Sequence, residues 1–374
     1  MTLTRYSILL LLITLASPQP SPTLRHAAEA RGIHIGTAVA SRLLSEPEYA
    51  QILGTEFSQL EPENEMKFGL IHPRPDSDPQ PYNFRGADQL VAFAKSHHMR
   101  VRGHTLVWHR QVAPWLTARA QPPSQLAPSE LAGILQKHIQ TVVRHYAGKV
   151  YAWDVVNEAF NDDGTMRETI WYDLPGIGYA GQGTKYIEQA LRWAHAADRH
   201  AKLFYNDFDT ERINPKSDAI YAMAADFMKR GVPLDGIGFQ LHVTPAFDDP
   251  ATIASFRQNL KRFAALGLEI HFTEIDVRLK ESTPASLQAG VPRNPGFGLR
   301  GWEAQAHLYS EITKACLQLS ACKAIQTWGF TDKHSWIPGK YPGQGWALLW
   351  DSDYNKKPSY SAVMDALSSS PRRK

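Results

Sequence analysis

MRVRGHTLVW (99–108) is followed along the chain by SELAGILQKHIQTVVRHYAG (129–148) and VYAWDVVNE (150–158), and this succession determines the predicted fold. The first and last segments are short and rich in β-branched and aromatic residues, which is typical of buried strands. The middle segment is an amphipathic helix that we expect Gly148 to terminate. A strand, a helix and a second strand in this order predict a βαβ unit with parallel strands. The apolar residues of the helix share one face: Leu131, Leu135, Ile139, Val142 and Tyr146.

The same alternation of short apolar runs and helical patterns continues from about residue 33 onward. A second helical pattern, SDAIYAMAADFMKRG (217–231), has Ser217 as its expected N-cap and Gly231 as its expected end. Eight strands, each followed by a helix, predict an α/β fold of the (β/α)8 TIM-barrel type in a single domain, because open doubly wound sheets usually have about five or six strands. The predicted strands are IHIGTAV (33–39), EFSQLEP (56–62), MRVRGHTLVW (99–108), VYAWDVVNE (150–158), AKLFYND (201–207), GIGFQLH (236–242), LEIHFTE (268–274) and AIQTWGF (324–330).

The composition limits the classes of function. Of 374 residues, 43% are apolar or aromatic and 21% are charged, which excludes a disordered chain and provides a large core. The 40 Lys and Arg residues nearly balance the 37 Asp and Glu residues. A protein that binds chiefly to phosphates or anionic lipids would carry a larger positive charge. We therefore expect neither nucleic acid nor a membrane as a partner.

The N-terminal segment predicts export. Residues 1–16 carry one cation, Arg5, an apolar run from Ile8 to Leu15, and the small residue Ala16, which together are typical of a cleaved signal peptide. A membrane anchor is the alternative, but the apolar run has about half of the ~20 residues that span a bilayer. We therefore expect a secreted protein. The predicted segments are a signal peptide (1–16), a Pro- and Ser-rich leader (17–23), a catalytic domain (24–368) and a basic tail (369–374).

The chain has two cysteines, Cys316 and Cys322. In an exported protein such a close pair normally forms a disulfide bond. A zinc site would need two further soft ligands, and there is no second cysteine pair to supply them. We therefore predict a local disulfide bond.

Polar residues follow most of the predicted strands. In a (β/α)8 barrel the carboxyl ends of the strands form one mouth, where active sites lie. We therefore expect these side chains to converge there. They are Glu63, Asn64 and Lys67 after strand two, His104, Trp108 and His109 after strand three, Asn157 and Glu158 after strand four, Asn206 and Asp207 after strand five, Gln240 and His242 after strand six, Glu274 and Asp276 after strand seven, and Trp328, Trp336 and Trp346 after strand eight.

Two carboxylates from separate strands, Glu158 and Glu274, in a cleft lined by tryptophans are the groups that hydrolysis of a glycosidic bond requires. Amides such as Asn157 and Gln240 donate to and accept from sugar hydroxyls, and indole rings stack on the apolar faces of sugar rings.

A metal-dependent hydrolase is an alternative interpretation, with a site built from three histidines and the carboxylates. No HxH or HExxH pattern supports it, and we expect neither a metal nor a cofactor. The histidines are His104, His109 and His242.

Around the polar residues that follow the predicted strands, the chain resembles glycoside hydrolase family ten, the endo-1,4-β-xylanases. The resemblance covers nearly the whole chain after the leader, and the segments occur in the family's order. They are PENEMKF (62–68), GHTLVWHRQVAPW (103–115), WDVVNEA (153–159), FYNDFDTE (204–211), GIGFQLHV (236–243), HFTEIDV (271–277), TWGFTDKHSWI (327–337) and LLWDSDYNKKPSY (348–360).

The resemblance implies a role for each matched residue. Glu158 would be the acid/base and Glu274 the nucleophile of a retaining mechanism, with Asn157 on the sugar 2-hydroxyl. His242 would contact the nucleophile and be held by Asp276. The remaining substrate-binding positions would be His104, Trp108, Lys67, Gln240, Trp328 and Trp336 at subsites −1 and −2, and Glu63, Asn64 and Gln111 at −2. The resemblance also implies the Cys316–Cys322 disulfide.

The chain departs from the family pattern at two aromatic positions. Phe68 stands where the family usually has Trp, and Phe208 stands where it usually has Tyr. Phe208 keeps a ring near the substrate but lacks a hydroxyl that could bind sugar near subsite +1. The Pro- and Gly-rich loop 280–301 is expected to overhang the cleft after strand seven.

The predicted mechanism implies one expectation about a pKa and one about a distance. Glu158 must hold a proton when substrate binds, so we expect its environment to raise its pKa. Retention requires the two carboxyl groups to lie about 5–5.5 Å apart. We expect the partners to be xylan and xylo-oligosaccharides, and the protein to be a monomer.

Two alternatives to a xylanase remain. One is a barrel β-glycosidase acting on cellulose or mannan, although Trp336 would crowd the hydroxymethyl group of glucose. The other is a non-catalytic carbohydrate-binding protein on the same barrel. Loss of either Glu158 or Glu274 would have favoured the binding protein, and both are present.

Overall fold

The computed structural model describes residues 22–122, 125–280 and 298–369. The predicted signal peptide, most of the leader and of the basic tail, and most of the loop 280–301 lie outside the described residues. Within the described part, no helix combines the length and the apolar character needed to cross a membrane.

Eight parallel strands form a closed barrel, so the predicted (β/α)8 fold is confirmed. The barrel closes because β10 pairs with both β1 and β8, and the other barrel strands pair in chain order. The short β7 lies beside β8, and β9 pairs with β11 away from the barrel. The strands are β1 (His34–Val39), β2 (Gln59–Pro62), β3 (Arg100–Val107), β4 (Ala152–Asn157), β5 (Lys202–Asp207), β6 (Gly236–Phe239), β7 (His242–Val243), β8 (Glu269–Val277), β9 (Leu279–Lys280), β10 (Cys322–Thr327) and β11 (Gln344–Gly345).

Helices surround the barrel and bury their apolar faces against the strands. Short 3-10 turns cover residues 41–45, 245–247 and 332–334. The helices are α1 (Leu24–Glu29), α2 (Pro47–Glu56), α3 (Phe68–Ile71), α4 (Arg85–Ser96), α5 (Pro114–Arg119), α6 (Pro128–His145), α7 (Lys185–Ala197), α8 (Pro215–Arg230), α9 (Pro250–Ala265), α10 (Gly298–Leu317), α11 (Ile337–Lys340) and α12 (Pro358–Ser369).

Several predicted element boundaries differ from the structure. Helix α6 ends at His145, with Tyr146 as its C-cap, rather than at the predicted Gly148. Helix α8 begins earlier than expected, because Asn214 rather than Ser217 is its N-cap and the two residues form a capping box. The predicted strand 236–242 is broken into β6 and β7, because Leu241 adopts a left-handed backbone conformation with φ 62°. The predicted end of α8 at Gly231, with φ 65°, is confirmed.

The predicted disulfide bond is confirmed. Cys316 near the end of α10 bonds to Cys322 at the start of β10, with the two Cα atoms 5.2 Å apart. It joins a helix to the last barrel strand.

A buried stack of aromatic rings packs outside β3. The imidazole rings of His72 and His138 are parallel within 7°, with centroids 5.6 Å apart, and Phe68 stacks on His138 at 4.1 Å. Both histidines are fully buried. Burial lowers the pKa of His72 to about 4, and it lowers the pKa of His138 well below its ordinary value. Both imidazoles are therefore neutral in the folded protein at neutral pH.

We expect this stack to make stability depend on pH. A histidine whose pKa is lowered by folding contributes stability fully above its unfolded pKa of about 6.5, and that stability is lost as pH falls below this value. His138→Phe keeps a ring in the stack and removes one titrating group. Its unfolding free energy should fall less steeply between pH 6.5 and 4.5, by up to about 1 kcal/mol per pH unit.

Urea unfolding followed by fluorescence at pH 7, 6 and 5 measures this slope for the wild type and the variant. His26→Gln removes an exposed histidine and serves as the control, with no expected change in slope. Equal slopes for His138→Phe and the wild type would contradict the prediction.

Candidate active site

A cleft of about 600 Å³ opens at the carboxyl ends of the barrel strands. The residues to which the resemblance assigned a catalytic or substrate-binding role all line this cleft except Asp276, which lies directly behind it. Four other residues that we expected at the mouth are not part of its lining: His109, Asn206, Asp207 and Trp346. The predicted residues in the lining are Glu63, Asn64, Lys67, His104, Trp108, Gln111, Asn157, Glu158, Phe208, Gln240, His242, Glu274, Trp328 and Trp336.

Glu158 directly follows β4 and points its carboxylate at three side-chain donors. Trp108 Nε1 donates to Oε2 at 2.8 Å, and Gln240 Nε2 and Asn157 Nδ2 donate to Oε1 at 3.1 and 3.2 Å. The residue has φ 58°, a left-handed backbone conformation that is uncommon outside glycine and is concentrated at functional sites.

The pKa of Glu158 differs from our expectation. Burial raises the pKa, but the hydrogen bonds from Gln240 and Trp108 outweigh burial and hold the pKa below its ordinary value. The expected rise was therefore wrong for this arrangement, because donors stabilise the charged form of a carboxyl group. The sequence placed both donors in the cleft but did not reveal that they aim at Glu158.

Glu274 lies within β8 and is held from two sides. Asn206 Nδ2, at the end of β5, donates to Oε1 at 2.8 Å, and His242 Nε2 lies 3.2 Å from Oε2. Its side chain is almost entirely buried. Asn206 had no predicted role, although its place at a strand end was a signal for one.

His242 and Asp276 form a pair behind Glu274. His242 Nδ1 lies 2.7 Å from Asp276 Oδ2, and Trp336 Nε1 donates to the same oxygen at 3.0 Å. Burial lowers the pKa of His242, but Asp276 and then Glu274 outweigh burial and hold the pKa well above its ordinary value. The imidazole is therefore cationic at neutral pH, and a cation next to Glu274 favours the ionised carboxylate.

Amide groups link the two carboxylates across the cleft floor. Asn206 Nδ2 donates to Asn157 Oδ1 at 2.9 Å as well as to Glu274. Gln240 Nε2 donates to the same Asn157 oxygen at 3.3 Å as well as to Glu158. The positions of Glu158 and Glu274 are therefore set by one continuous hydrogen-bond network.

Lys67 lines the cleft and lies close to two indole rings. Its Nζ is 4.8 Å from the centroid of Trp108 and 5.3 Å from that of Trp328, and it donates to Asn64 Oδ1 at 3.3 Å. Burial lowers the pKa of Lys67, against the opposite effect of Glu274. An ammonium group between aromatic faces suits a ring with several hydroxyl groups.

A charged network lies below the cleft in the barrel interior. Arg102 Nε donates to Asp154 Oδ2 at 3.0 Å, and His104 Nδ1 lies 3.0 Å from the same oxygen and 3.2 Å from Glu61 Oε1. Glu61, Arg102 and Asp154 are all inaccessible to solvent. We did not predict them as site residues. Their positions within the strands are ones where side chains normally fill the barrel interior.

The metal-site alternative required His104, His109 and His242 to share an ion. The structure holds His104 against Asp154 and His242 against Asp276, so the three imidazoles do not converge. Among the described residues, the group with metal-ligand spacing is Glu61, His104 and Asp154. The Arg102 guanidinium already binds these carboxylates, and a second cation there would be repelled.

Five further residues line the cleft that the sequence did not single out. Arg278 is held by two contacts, since its Nη1 donates to the carbonyl of His242 at 3.1 Å and its guanidinium lies 4.4 Å from the Tyr341 ring centroid. The signal for Arg278 was its place directly after a predicted strand-end motif. The five are Arg110, Asp209, Arg278, Lys340 and Tyr341.

A known protein family matches nearly the whole of this chain. Residues 23–366 match Glycosyl hydrolase family 10. The chain belongs to this family. It is therefore a glycoside hydrolase, and the resemblance stated from the sequence is confirmed.

Relatives and solved structures within family 10 resemble the chain over nearly its whole length. Endo-1,4-beta-xylanase B of Thermotoga neapolitana is 42% identical over 366 residues, which cover 96% of each chain. Native xylanase 10B of Thermotoga maritima is 44% identical with a TM-score of 0.82, covering 92% of this chain and 98% of that one. Xylanase 10B of Thermotoga petrophila RKU-1, solved in complex with xylobiose, is 42% identical with a TM-score of 0.82, covering 94% and 98%.

Proposed function

We propose that this protein is a secreted endo-1,4-β-xylanase that cleaves internal xylosidic bonds with retention, with Glu158 as acid/base and Glu274 as nucleophile. The observation that carries the proposal is the pair of carboxylates, one directly after β4 and one within β8, joined through amides in one tryptophan-lined cleft. The activities named for its family 10 relatives support the substrate.

In the first step, Glu274 attacks the anomeric carbon while Glu158 gives its proton to the departing glycosidic oxygen. The carbon–oxygen bond of the substrate breaks, and a glycosyl ester of Glu274 forms. In the second step, Glu158 takes a proton from water, and the water oxygen displaces Glu274 from the sugar.

The contacts of each carboxylate fit these roles. Asn206 and the cationic His242 stabilise the charged form of Glu274, which a nucleophile requires. The donors Gln240 and Trp108 stabilise the charged form of Glu158, which suits its action as a base in the second step. For the first step, bound substrate must draw these donors away so that Glu158 takes up a proton.

The proposal is tested by incubating the mature protein with xylan, carboxymethyl-cellulose and mannan and measuring reducing-sugar release. NMR of the first product from a xylo-oligosaccharide gives the anomeric configuration. We expect release mainly from xylan, unaffected by a chelator, with a β-product formed first. Preferential release from cellulose or mannan would overturn the substrate, an α-product would overturn retention, and binding without release would indicate a carbohydrate-binding protein.

Export of the protein is part of this proposal. It rests on the signal-peptide pattern of residues 1–16, which end at Ala16 before the leader. N-terminal sequencing of protein from the culture medium tests it. Cleavage close to Ala16 would support export, and a full-length chain retained in the cells would contradict it.

Trp336 is expected to control the preference for xylose. Its indole nitrogen is fixed by Asp276, so the ring cannot easily move away from a larger sugar. Trp336→Ala should lower kcat/KM on xylan and raise the ratio of carboxymethyl-cellulose to xylan activity by at least about tenfold, because it opens space for a hydroxymethyl group. Reducing-sugar assays on both polymers measure this ratio. An unchanged ratio would contradict the role given to Trp336.

A further inference from the structure

Glu211 is a buried carboxyl group near the cleft that the mechanism above does not use. It lies four residues beyond the end of β5, after a loop in which Phe208 and Asp209 line the cleft. Only 3% of Glu211 is exposed to solvent. A carboxyl group in such a position must be stabilised by a specific partner.

The partner of Glu211 is the backbone of Leu241. Glu211 Oε1 accepts a hydrogen bond from the Leu241 N–H at 2.8 Å. Leu241 is fully buried and has φ 62°, a conformation that is costly for a leucine. Without Glu211, this N–H would be left without an acceptor in the interior, which is unfavourable.

Leu241 lies between two residues that hold the proposed catalytic carboxylates. On one side, Gln240 donates to Glu158, and on the other side His242 contacts Glu274. Because Gln240 and His242 are bonded directly to Leu241, a displacement of the backbone at Leu241 would shift both of them. The backbone at this turn therefore links the residue that donates to Glu158 with the residue that contacts Glu274.

Hydrogen bonds from α9 hold the backbone at Glu211. Asn259 on α9 donates from Nδ2 to the carbonyls of Thr210 and Glu211 at 2.7 and 3.0 Å. Arg262 Nε, on the same helix, donates to Asn259 Oδ1 at 2.6 Å. The backbone of Glu211 is therefore anchored to α9, and its side chain can act as a fixed support for the turn at Leu241.

We propose that Glu211 is a positioning residue that holds the Gln240–His242 turn in the geometry required for hydrolysis. This inference rests on the proposed function, because it concerns the same two carboxylates. Glu211 does not touch the substrate, and it acts through Gln240 and His242.

The ionisation of Glu211 should make this positioning role depend on pH. Burial raises the pKa of Glu211 to about 7, with a further contribution from Asp209, while the Leu241 N–H and His242 act in the opposite direction. Asp209 on the same loop and His242 on β7 are the charged groups that act on it. Above pH 7 the carboxylate makes a charge-assisted hydrogen bond to Leu241, which is stronger than the bond made by the neutral form.

Glu211→Gln keeps the shape and an acceptor but cannot ionise. Its kcat on a soluble xylo-oligosaccharide should match that of the wild type within about twofold at pH 5.5. We expect the ratio of variant to wild-type kcat to fall at least threefold between pH 5.5 and pH 8, with KM nearly unchanged. Glu48→Gln, on the exposed face of α2, is the control, with a constant ratio expected.

Glu211→Ala removes the acceptor, and its kcat should fall about 10- to 100-fold, because small displacements of catalytic groups have effects of this size. If this variant does not fold, the pH series of Glu211→Gln decides alone. A constant kcat ratio for Glu211→Gln from pH 5.5 to 8 would overturn the inference. The proposed function would stand in that case, because the polymer preference and the product configuration that test it are measured on the wild type and do not depend on Glu211→Gln.

Discussion

Glu274→Ala is expected to reduce kcat on xylan by at least ~10⁴-fold, because removal of a covalent nucleophile leaves only binding and the remaining charged groups. Its KM should change little, since the substrate-binding residues remain in place. The ion pair of His242 and Asp276 should also survive, so we expect a folded protein. Circular dichroism and thermal unfolding check the fold, and initial rates on xylan measure the loss.

The loss of activity in Glu158→Ala should depend on the leaving group of the substrate. The acid step matters most for a poor leaving group, so the loss on xylan should be about 10²- to 10⁴-fold and much smaller on an aryl β-xylobioside. Glu48→Ala, which alters an exposed carboxyl group on α2, is the control, with unchanged rates expected.

Azide separates the two roles chemically. In Glu274→Ala, azide can attack the anomeric carbon from the emptied side, so an α-glycosyl azide is expected with the aryl substrate. In Glu158→Ala, azide attacks the glycosyl ester of Glu274, so a β-glycosyl azide is expected. Product NMR distinguishes them. The opposite pairing of product and variant would reverse the assignment of nucleophile and acid/base.

The positions of these two residues were predictable because they follow an apolar run at a strand's carboxyl end. The same rule located Asn157, Gln240 and His242, and the structure brings all of them to one cleft. Barrel topology explains this success, since it sends the carboxyl ends of all strands to one face whatever the loops contain.

Features that depend on side-chain direction were not predictable. The apolar pattern of residues 236–242 indicated one strand, but the turn at Leu241 depends on a carboxyl group 30 residues away in sequence. The pKa of Glu158 likewise depends on which donors reach it. Sequence spacing carries no information about either contact, because both form only when β3, β5 and β6 are assembled in the barrel.

The charged network below the cleft was missed for a related reason. Glu61 and Arg102 occupy positions inside strands where alternation predicts side chains in the barrel interior, which is usually filled by apolar groups. The charge of an arginine buried there must be balanced by a neighbouring acid, because an ion without a partner is unstable in the barrel interior.

Asp154→Asn is expected to destabilise the protein far more than Glu61→Gln. Burial raises the pKa of Asp154, but Arg102 and His104 outweigh burial and hold its pKa below the ordinary value. Burial and the neighbouring Asp154 raise the pKa of Glu61 well above its ordinary value. We therefore expect Asp154 to carry the negative charge that balances Arg102 and Glu61 to hold a proton.

Neutralising Asp154 leaves the buried Arg102 without a counter-charge, and loss of one partner of a buried ion pair costs about 3–5 kcal/mol. Glu61→Gln replaces one neutral group by another of the same size and keeps an acceptor for Gln326, so its cost should be at most about 1 kcal/mol. Urea unfolding at pH 7 gives both free energies. The infrared band of a protonated carboxyl group should also disappear in the difference spectrum of Glu61→Gln. Equal losses of stability, or an unchanged carboxyl band, would mean that the negative charge opposite Arg102 resides on Glu61 instead.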